Sequence, residues 1–207
     1  MPYIENKIAE GEHQRQDFKY AVNDSRKIAI SLCAFANSDG GRLLIGVKDN
    51  GTVAGVKPDE EIHMVEAAAE VYCRPVVPFE HHLWKSDNRY VLEVIVEPSA
   101  DMPHYVIDAD GNYKAYIRRA DQNLPAGAVL MEVWRGSEPD RPQKYFHTEK
   151  EKRIFNALQQ HMRLTLSQLV RHTHIPRNVM IKLLARFIRW ELIMLHYEND
   201  QQLFQLK

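Results

Sequence analysis

Three carboxylates in the first quarter of the chain could share a metal site, namely Glu12, Asp17 and Asp49. If they converge, their mutual repulsion requires a divalent cation, and Mg²⁺ or Mn²⁺ held by oxygen ligands could activate water for phosphodiester hydrolysis. The same residues allow a plainer interpretation. In it, Glu12 is an exposed acid and Asp49 belongs to the Asn-Gly turn that follows it. Asp17 then pairs with Lys19 or Arg15.

A second constellation lies near the C-terminus, where one predicted helix carries long polar side chains opposite its apolar stripe. These residues are Arg177, Asn178, Lys182, Arg186 and Arg189. On a protruding helix such side chains pair with phosphates or reach base edges in the major groove, so the pattern predicts a contact with DNA. The alternative is a solvated helix face in a domain that packs only against protein.

The stretch 34–56 must position Asp49. An apolar helix over 28–36 leads into the turn-forming run 37–41, whose two glycines allow positive φ. Residues 42–47 are short and apolar, as in a central strand. Asn50-Gly51 then indicates a type I′ hairpin with a return strand reaching residue 56. We interpret the paired glycines as a turn feeding the strand, because the chain has no G-x-x-x-x-G-K-[ST] phosphate-binding motif.

Helices and strands alternate through the rest of the first two thirds of the chain, which predicts an α+β domain. Helices are expected over 4–9, 25–36, 58–73 and 126–133, the second with Asp24 or Ser25 as N-cap. Strands are expected over 12–21, 80–85, 90–97, 105–107 and 114–118.

The last third of the chain has a different pattern. The polar, proline-containing segment 136–145 is the predicted linker. Helices beginning at 148, 165 and 176 follow, and then a hairpin formed by 192–197 and 201–206. Three helices followed by a two-stranded wing are typical of a winged helix-turn-helix. The predicted organisation is therefore a first domain over 1–135, a linker over 136–145 and a winged helix-turn-helix domain over 146–207.

Charge is distributed unevenly along the 207 residues, although the formal net charge is −1. Residues 1–141 hold 16 Lys and Arg against 23 Asp and Glu, whereas residues 142–207 hold 11 against 5. A basic C-terminal module beside an acidic N-terminal one is typical of a protein that binds nucleic acid through its C-terminal part.

The sequence favours a cytoplasmic protein without a membrane partner. No run approaches the roughly 18 apolar residues of a membrane span, and the N-terminus lacks the features of a signal peptide. The two cysteines, Cys33 and Cys73, lie in apolar contexts without a metal-binding spacing. We therefore expect both thiols to be reduced and buried.

An ordered series of residues resembles the Schlafen-type AlbA-like domain. The matching positions are Glu12, Asp17-Phe18-Lys19, Ala34-Phe35-Ala36-Asn37-Ser38, Gly40-Gly41, Leu44-Ile45-Gly46-Val47, Asp49, Gly51, Gly55, Tyr116-Ile117-Arg118, Asn123 and Pro125. The resemblance implies a mixed α/β Schlafen AlbA-like domain followed by a winged helix. In bacteria this arrangement is usually that of a transcriptional regulator, so a DNA-binding regulator is the first functional hypothesis, and a homodimer is also implied.

The vertebrate Schlafen nucleases suggest a second hypothesis, a metal-dependent endoribonuclease that acts on structured RNA such as tRNA. Their three acids match Glu12, Asp17 and Asp49, with Lys19 or Arg118 near phosphate. Asp17 departs from the family pattern, which usually has Glu at this position, and catalytic geometry tolerates little displacement. A third hypothesis is a protein-interaction module. The sequence alone leaves the choice between DNA and RNA open.

Overall fold

The computed structural model describes residues 3–136 and 148–207. These residues have a mixed α+β architecture in two units, one ending at Ala126 and the other beginning at Gly127. The helices of the first unit are α1 (Tyr3–Ala9), α2 (Ser25–Ala36) and α3 (Pro58–Val71). Its strands are β1 (Gln16–Lys19), β2 (Gly41–Ile45), β3 (Cys73–Arg74), β4 (Glu80–Ser86), β5 (Arg89–Val96), β6 (Tyr105–Ile107), β7 (Tyr113–Arg119) and β8 (Gln122–Pro125).

Two four-stranded sheets build the first unit. The first sheet has the order β1-β2-β5-β4, and the second has the order β3-β6-β7-β8. β1 runs parallel to β2 with Asp17 opposite Leu43, and α2 provides the crossover that a parallel pair requires. The other pairs are antiparallel, and Arg118 lies opposite Asn123 in the pairing of β7 with β8.

Both faces of the first sheet are covered. Leu43 and Ile45 belong to the main hydrophobic cluster, which includes most of the buried side chains of α2 and α3. Leu44 points the other way and packs with Ile4 and Phe18 in a smaller cluster that includes α1. Because alternate side chains of a strand point to opposite faces, the apolar run of Leu43, Leu44 and Ile45 suits β2 to the middle of a covered sheet. The prediction of a central strand after the paired glycines is confirmed.

The helix α2 has the predicted bounds and the predicted N-cap. Oδ1 of Asp24 accepts the backbone N–H of Arg26 at 2.9 Å. After the helix, Gly40 has a φ of +69°, a conformation that L side chains rarely adopt. The chain then passes so close to α2 that a Cβ atom on Gly41 would lie 2.5 Å from the ring of Phe35. The paired glycines are therefore an architectural turn.

The hairpin predicted at Asn50-Gly51 differs from the structure. The turn closes only an isolated bridge between Val47 and Val53, and no return strand to residue 56 follows in the part of the chain that the structure describes. Gly46 explains the difference, because its φ of +94° ends β2 before the turn. β2 pairs instead with β1 and the distant β5, which cover its buried backbone.

In the second unit, the described residues form four helices and a three-stranded sheet. The helices are α4 (Ala128–Arg135), α5 (Glu149–His161), α6 (Leu166–Thr173) and α7 (Arg177–Arg189). The strands are β9 (Leu164–Thr165), β10 (Ile193–Glu198) and β11 (Gln201–Leu206), in the antiparallel order β10-β11-β9. The three helices predicted after the linker are thus present, and so is the predicted terminal hairpin. The short β9 was not predicted.

The helices of the second unit surround one apolar core. Thr148 and Glu151 form a capping box at the start of α5, with the Thr148 backbone N–H donating to Oε2 of Glu151 at 2.7 Å. α7 contributes Met180, Leu184 and Phe187, which recur at helical spacing and are fully buried. The polar face of α7 is consequently directed away from this core.

The helix α4 packs in the second unit, although the sequence prediction placed residues 128–135 in the first domain. Val129 is fully buried in the second core together with Ile154 and Phe187. The boundary between the units therefore lies near residue 126, because α4 buries its apolar face in the core of the second unit. The predicted linker over 136–145, apart from Gly136, lies outside the described residues.

Cys33 and Cys73 are free and fully buried, with their Sγ atoms 3.4 Å apart. Their mutual hydrogen bond and burial raise the pKa of the Cys33 thiol. In residues 3–136 and 148–207, no helix has the length and apolar character needed to cross a membrane.

Candidate functional site

Asp17 lies inside a network of polar groups at the edge strand β1. Its side chain is only 5% exposed. Nζ of Lys19 lies 2.7 Å from Oδ2, and Nη2 of Arg118 lies 3.4 Å from Oδ1. Oγ of Ser31 on α2 donates a hydrogen bond to Oδ2 at 3.3 Å. Asp17 therefore has two cationic partners, of which only Lys19 was named by the plainer interpretation of the sequence.

Glu12 lies next to Asp17, as the metal-site hypothesis requires of these two acids. One carboxylate oxygen of Glu12 accepts the backbone N–H of Phe18 at 2.8 Å. Burial, and then the hydrogen bond with Asp17, raise the pKa of the Glu12 carboxyl, while the Phe18 N–H and the charge of Lys19 oppose that rise. The two carboxyl groups thus form a close, partly buried pair.

Arg118 is buried inside the protein, whereas the sequence-based prediction placed it near phosphate. It is 1% exposed, and its guanidinium lies 5.3 Å from the centroid of the Phe35 ring. Nη1 donates to Oδ1 of Asn123 at 3.1 Å, and Nη2 donates to the backbone carbonyl of Gln16 at 3.0 Å. The prediction is corrected accordingly, because a buried guanidinium with internal partners is not presented to a ligand phosphate.

Asp49 does not complete a metal site with Glu12 and Asp17. It is exposed, and it lines a surface groove of about 870 Å³ that also includes Glu5, Asn50 and Asp87. Within residues 3–136 and 148–207, no three His, Cys, Asp or Glu side chains are grouped so that they could hold a metal ion. The structure therefore joins two of the three predicted acids and leaves Asp49 at the groove.

Lys19 lies between the acidic pair and solvent. Its side chain is 33% exposed, and its ammonium also donates to the carbonyl of Phe18 at 2.8 Å. Lys19 is therefore partly accessible to solvent while it is paired with Asp17.

The first two turns of α7 present the other predicted contacts to solvent. Arg177, Asn178 and Lys182 are exposed, and they lie on the polar side of the helix. Pro176 precedes α7 and fixes its start, while α6 ends at His174 in the left-handed conformation with a φ of 55°. The connection between the two helices is therefore tight, and it leaves the beginning of α7 accessible.

Arg186 and Arg189 have intramolecular roles, which corrects their prediction as exposed contacts. Arg186 forms an ion pair with Glu151, and its guanidinium lies 5.1 Å from the ring of Trp190. Nη1 of Arg189 donates to the carbonyl of Glu132 at 3.0 Å, near the end of α4. The basic side of α7 thus consists of an accessible first half and a second half that stabilises the unit.

Two members of the acidic network were missed as site residues. Ser31 is 1% exposed, and its Oγ accepts a hydrogen bond from Nδ2 of Asn123 at 3.0 Å. Asn123 was recognised only as a family position, and its pairing with Arg118 depends on the β7–β8 register. Nothing in the sequence indicated Ser31, because its only signal is the side of α2 on which it lies.

Comparison with known proteins identifies the first unit. Residues 12–127 match the family model described as Schlafen, AlbA_2. No curated protein matches the chain. A crystal structure from Corynebacterium diphtheriae is similar at 19% identity with a TM-score of 0.42, covering 61% of this chain and 25% of that one. The N-terminal domain of a RecG-related protein from Nitrosomonas europaea, named for an ATP-dependent DNA helicase, is similar at 21% identity with a TM-score of 0.44. That match covers 72% of this chain and 99% of the domain.

Proposed function

The chain belongs to the Schlafen, AlbA_2 family through residues 12–127, and on this premise we propose that it is a nucleic-acid-binding protein that acts as a DNA-binding transcriptional regulator. The DNA-binding part is a winged helix-turn-helix formed by residues 148–207. Its support is the order of the elements, in which α5, α6 and α7 are followed by the β10–β11 hairpin. In such a domain α7 is the recognition helix, and the hairpin is the wing.

The observation that carries the proposal is the exposure of Arg177, Asn178 and Lys182 at the start of α7. The N-terminal residues of a recognition helix are the ones that contact base edges. Arg and Lys side chains bind guanine or phosphate, and Asn binds adenine through two hydrogen bonds. The exposed set therefore has the chemistry for both positioning and base recognition.

The tip of the hairpin limits where DNA contacts can lie. Glu198 and Asp200 are exposed at this tip, and both are acidic. Carboxylates repel phosphates, so this tip adds little affinity for a DNA backbone, even though Glu198 forms an ion pair with Arg163 at 3.6 Å. Binding is consequently concentrated on α7 and on the end of α6, where Arg171 is also exposed.

A salt titration of DNA affinity tests the proposal. Fluorescence anisotropy with a duplex of mixed sequence measures the dissociation constant of the whole chain and of Arg177→Ala/Lys182→Ala. The variant is expected to bind more weakly, and the slope of log affinity against log salt should fall by about two if both side chains contact phosphate. Lys27→Ala/Lys57→Ala removes the same charge from exposed positions of the first unit and serves as the control. Equal affinity of the two double variants would contradict the proposal.

A metal-dependent endoribonuclease acting on structured RNA such as tRNA is the second candidate function. One observation favours it: Glu12 accepts the backbone N–H of Phe18, next to Asp17, and Asp17 helps to raise the pKa of the Glu12 carboxyl. Incubation of the chain with tRNA and Mn²⁺ or Mg²⁺ tests it, with Asp49→Asn and Asp17→Asn as the variants. Cleavage that both variants abolish would support an enzyme, whereas intact RNA at high protein concentration would exclude this candidate.

We also propose that the chain forms a homodimer, as winged-helix regulators with paired half-sites do. Sedimentation equilibrium measures the mass directly. A mass equal to that of one 24.1 kDa chain at micromolar concentration would contradict this part of the proposal.

A further inference from the structure

We propose that Glu12, Asp17, Lys19 and Arg118 form a structural network in which the Lys19 ammonium takes the place that Mg²⁺ or Mn²⁺ would need. The inference does not depend on DNA binding, and it opposes the nuclease candidate. The donor atoms of this site do not meet the ligand requirements of a divalent cation.

The oxygen atoms of Asp17 are already bonded. Oδ1 is paired with Nη2 of Arg118, while Oδ2 forms an ion pair with Nζ of Lys19 and accepts a hydrogen bond from Oγ of Ser31. One oxygen of Glu12 accepts the Phe18 backbone N–H. A Mg²⁺ ion needs near-octahedral oxygen ligands at about 2.1 Å and usually keeps several waters. A carboxylate with a cation beside each of its two oxygens leaves no oxygen free for the ion, and loss of the Lys19 ammonium would free Oδ2.

The charges around Asp17 also disfavour the binding of a divalent cation. The repulsion within a carboxylate pair requires a positive charge beside it. Here Lys19 and Arg118 together supply two positive charges to Asp17 and its neighbour Glu12. A divalent ion bound at Oδ2 of Asp17 would lie beside the Lys19 ammonium, 2.7 Å from the same oxygen, and would be repelled by it.

The network also joins separate strands and a helix of the first unit, which explains why it is buried. Four side chains form a closed ring of polar contacts: Asp17 to Arg118, Arg118 to Asn123, Asn123 to Ser31, and Ser31 back to Asp17. These residues come from β1, β7, β8 and α2, so the ring joins the edge of the first sheet to the second sheet through α2. Buried polar contacts that join separate elements favour one arrangement of those elements, although Nε of Arg118 has no hydrogen-bond partner within the described residues.

Direct titration with Mn²⁺ tests the inference on the whole chain. Electron paramagnetic resonance of free Mn²⁺ gives the bound fraction for the wild-type chain, for Lys19→Met and for Lys48→Met, which removes an exposed lysine outside the network. The wild type and Lys48→Met are expected to bind no Mn²⁺ more tightly than about 1 mM. Lys19→Met is expected to gain a site at least about tenfold tighter, because a unit charge about 4 Å away no longer repels the ion.

Two outcomes would overturn the inference. The first is a sub-millimolar Mn²⁺ site in the wild-type chain that disappears in Asp17→Asn. The second is a folded Lys19→Met variant, checked by circular dichroism, with no gain in Mn²⁺ binding over Lys48→Met. If Lys19→Met does not fold, Lys19→Gln takes its place, and the wild-type titration is decisive without any variant.

Discussion

Asn37 and His104 are joined by two reciprocal hydrogen bonds. Nδ2 of Asn37 donates to the backbone carbonyl of His104 at 2.8 Å, and the His104 N–H donates to Oδ1 of Asn37 at 2.7 Å. Nδ2 also donates to the carbonyl of Tyr116 at 2.9 Å. One side chain at the end of α2 thus satisfies backbone groups of two other segments, and both Asn37 and His104 are buried.

Replacing Asn37 with alanine is expected to destabilise the first unit by about 3 kcal/mol, because a buried N–H and two carbonyls lose their partners. Urea denaturation measures the change in the free energy of unfolding. Asn156→Ala, an exposed asparagine on α5, is the control and should change it by less than about 0.5 kcal/mol. A similar loss in both variants would show that the hydrogen bonds of Asn37 contribute little.

Two glycines with positive φ, Gly40 and Gly111, allow the energetic cost of backbone strain to be measured separately from the cost of a steric clash. A Cβ atom on Gly40 would lie 2.8 Å from the carbonyl oxygen of Val96, whereas Gly111 has open space around the same position. Gly111→Ala is expected to cost about 1 kcal/mol from left-handed strain alone. Gly40→Ala should cost about 2 kcal/mol more, because β5 must move to accommodate the methyl group. Melting temperatures of the two variants test the difference, and equal values would refute the steric explanation.

Loss of the Arg118 guanidinium is expected to destabilise the chain strongly. Arg118→Met should lower the free energy of unfolding by about 3 to 5 kcal/mol, because the buried carboxylate of Asp17 loses a charged partner. Asp17→Asn in the same chain should recover part of that loss, with a coupling of at least about 1 kcal/mol in a double-mutant cycle. Arg119→Met, on the exposed neighbouring residue, provides the control. Strict additivity of the two changes would contradict the proposed network.

The two halves of α7 should respond differently to mutation. Lys182→Met is expected to weaken DNA binding by about tenfold at low salt and to leave stability almost unchanged, since the side chain is exposed. Arg186→Met removes an ion pair with Glu151, a residue 3% exposed, and is expected to lower stability by about 3 kcal/mol.

The same pair of variants also tests the assignment of Arg186. DNA affinity of folded Arg186→Met should equal that of the wild type in anisotropy measurements. A loss of affinity as large as that of Lys182→Met, with stability intact, would place Arg186 in the DNA contact instead.

Local sequence signals predicted the elements well where neighbouring residues decide the outcome. The bounds of α2, its N-cap and the central position of β2 follow from an apolar run, a capping residue and paired glycines. The hairpin after Asn50-Gly51 failed, because Gly46 ends the strand and long-range pairing with β5 replaces the local return strand. Strand pairing between distant segments is not encoded in a local pattern.

For the candidate sites too, local sequence signals were informative, whereas tertiary packing could not be predicted. Spacing left open whether Glu12 and Asp17 meet, and the burial of Arg118 depends on how β7 packs over α2. A helical pattern placed five polar residues on one side of α7 and could not show that Arg186 and Arg189 face other helices. Whether a charged residue contacts solvent or protein is decided by tertiary packing.

Because α4 packs in the second unit, the boundary between the units does not coincide with the predicted linker. A cut within residues 137–147 would leave α4 covalently attached to the first unit while its apolar side chains, including Val129, remain packed in the second. The two fragments of such a nicked chain should therefore copurify under native conditions and separate only in denaturant.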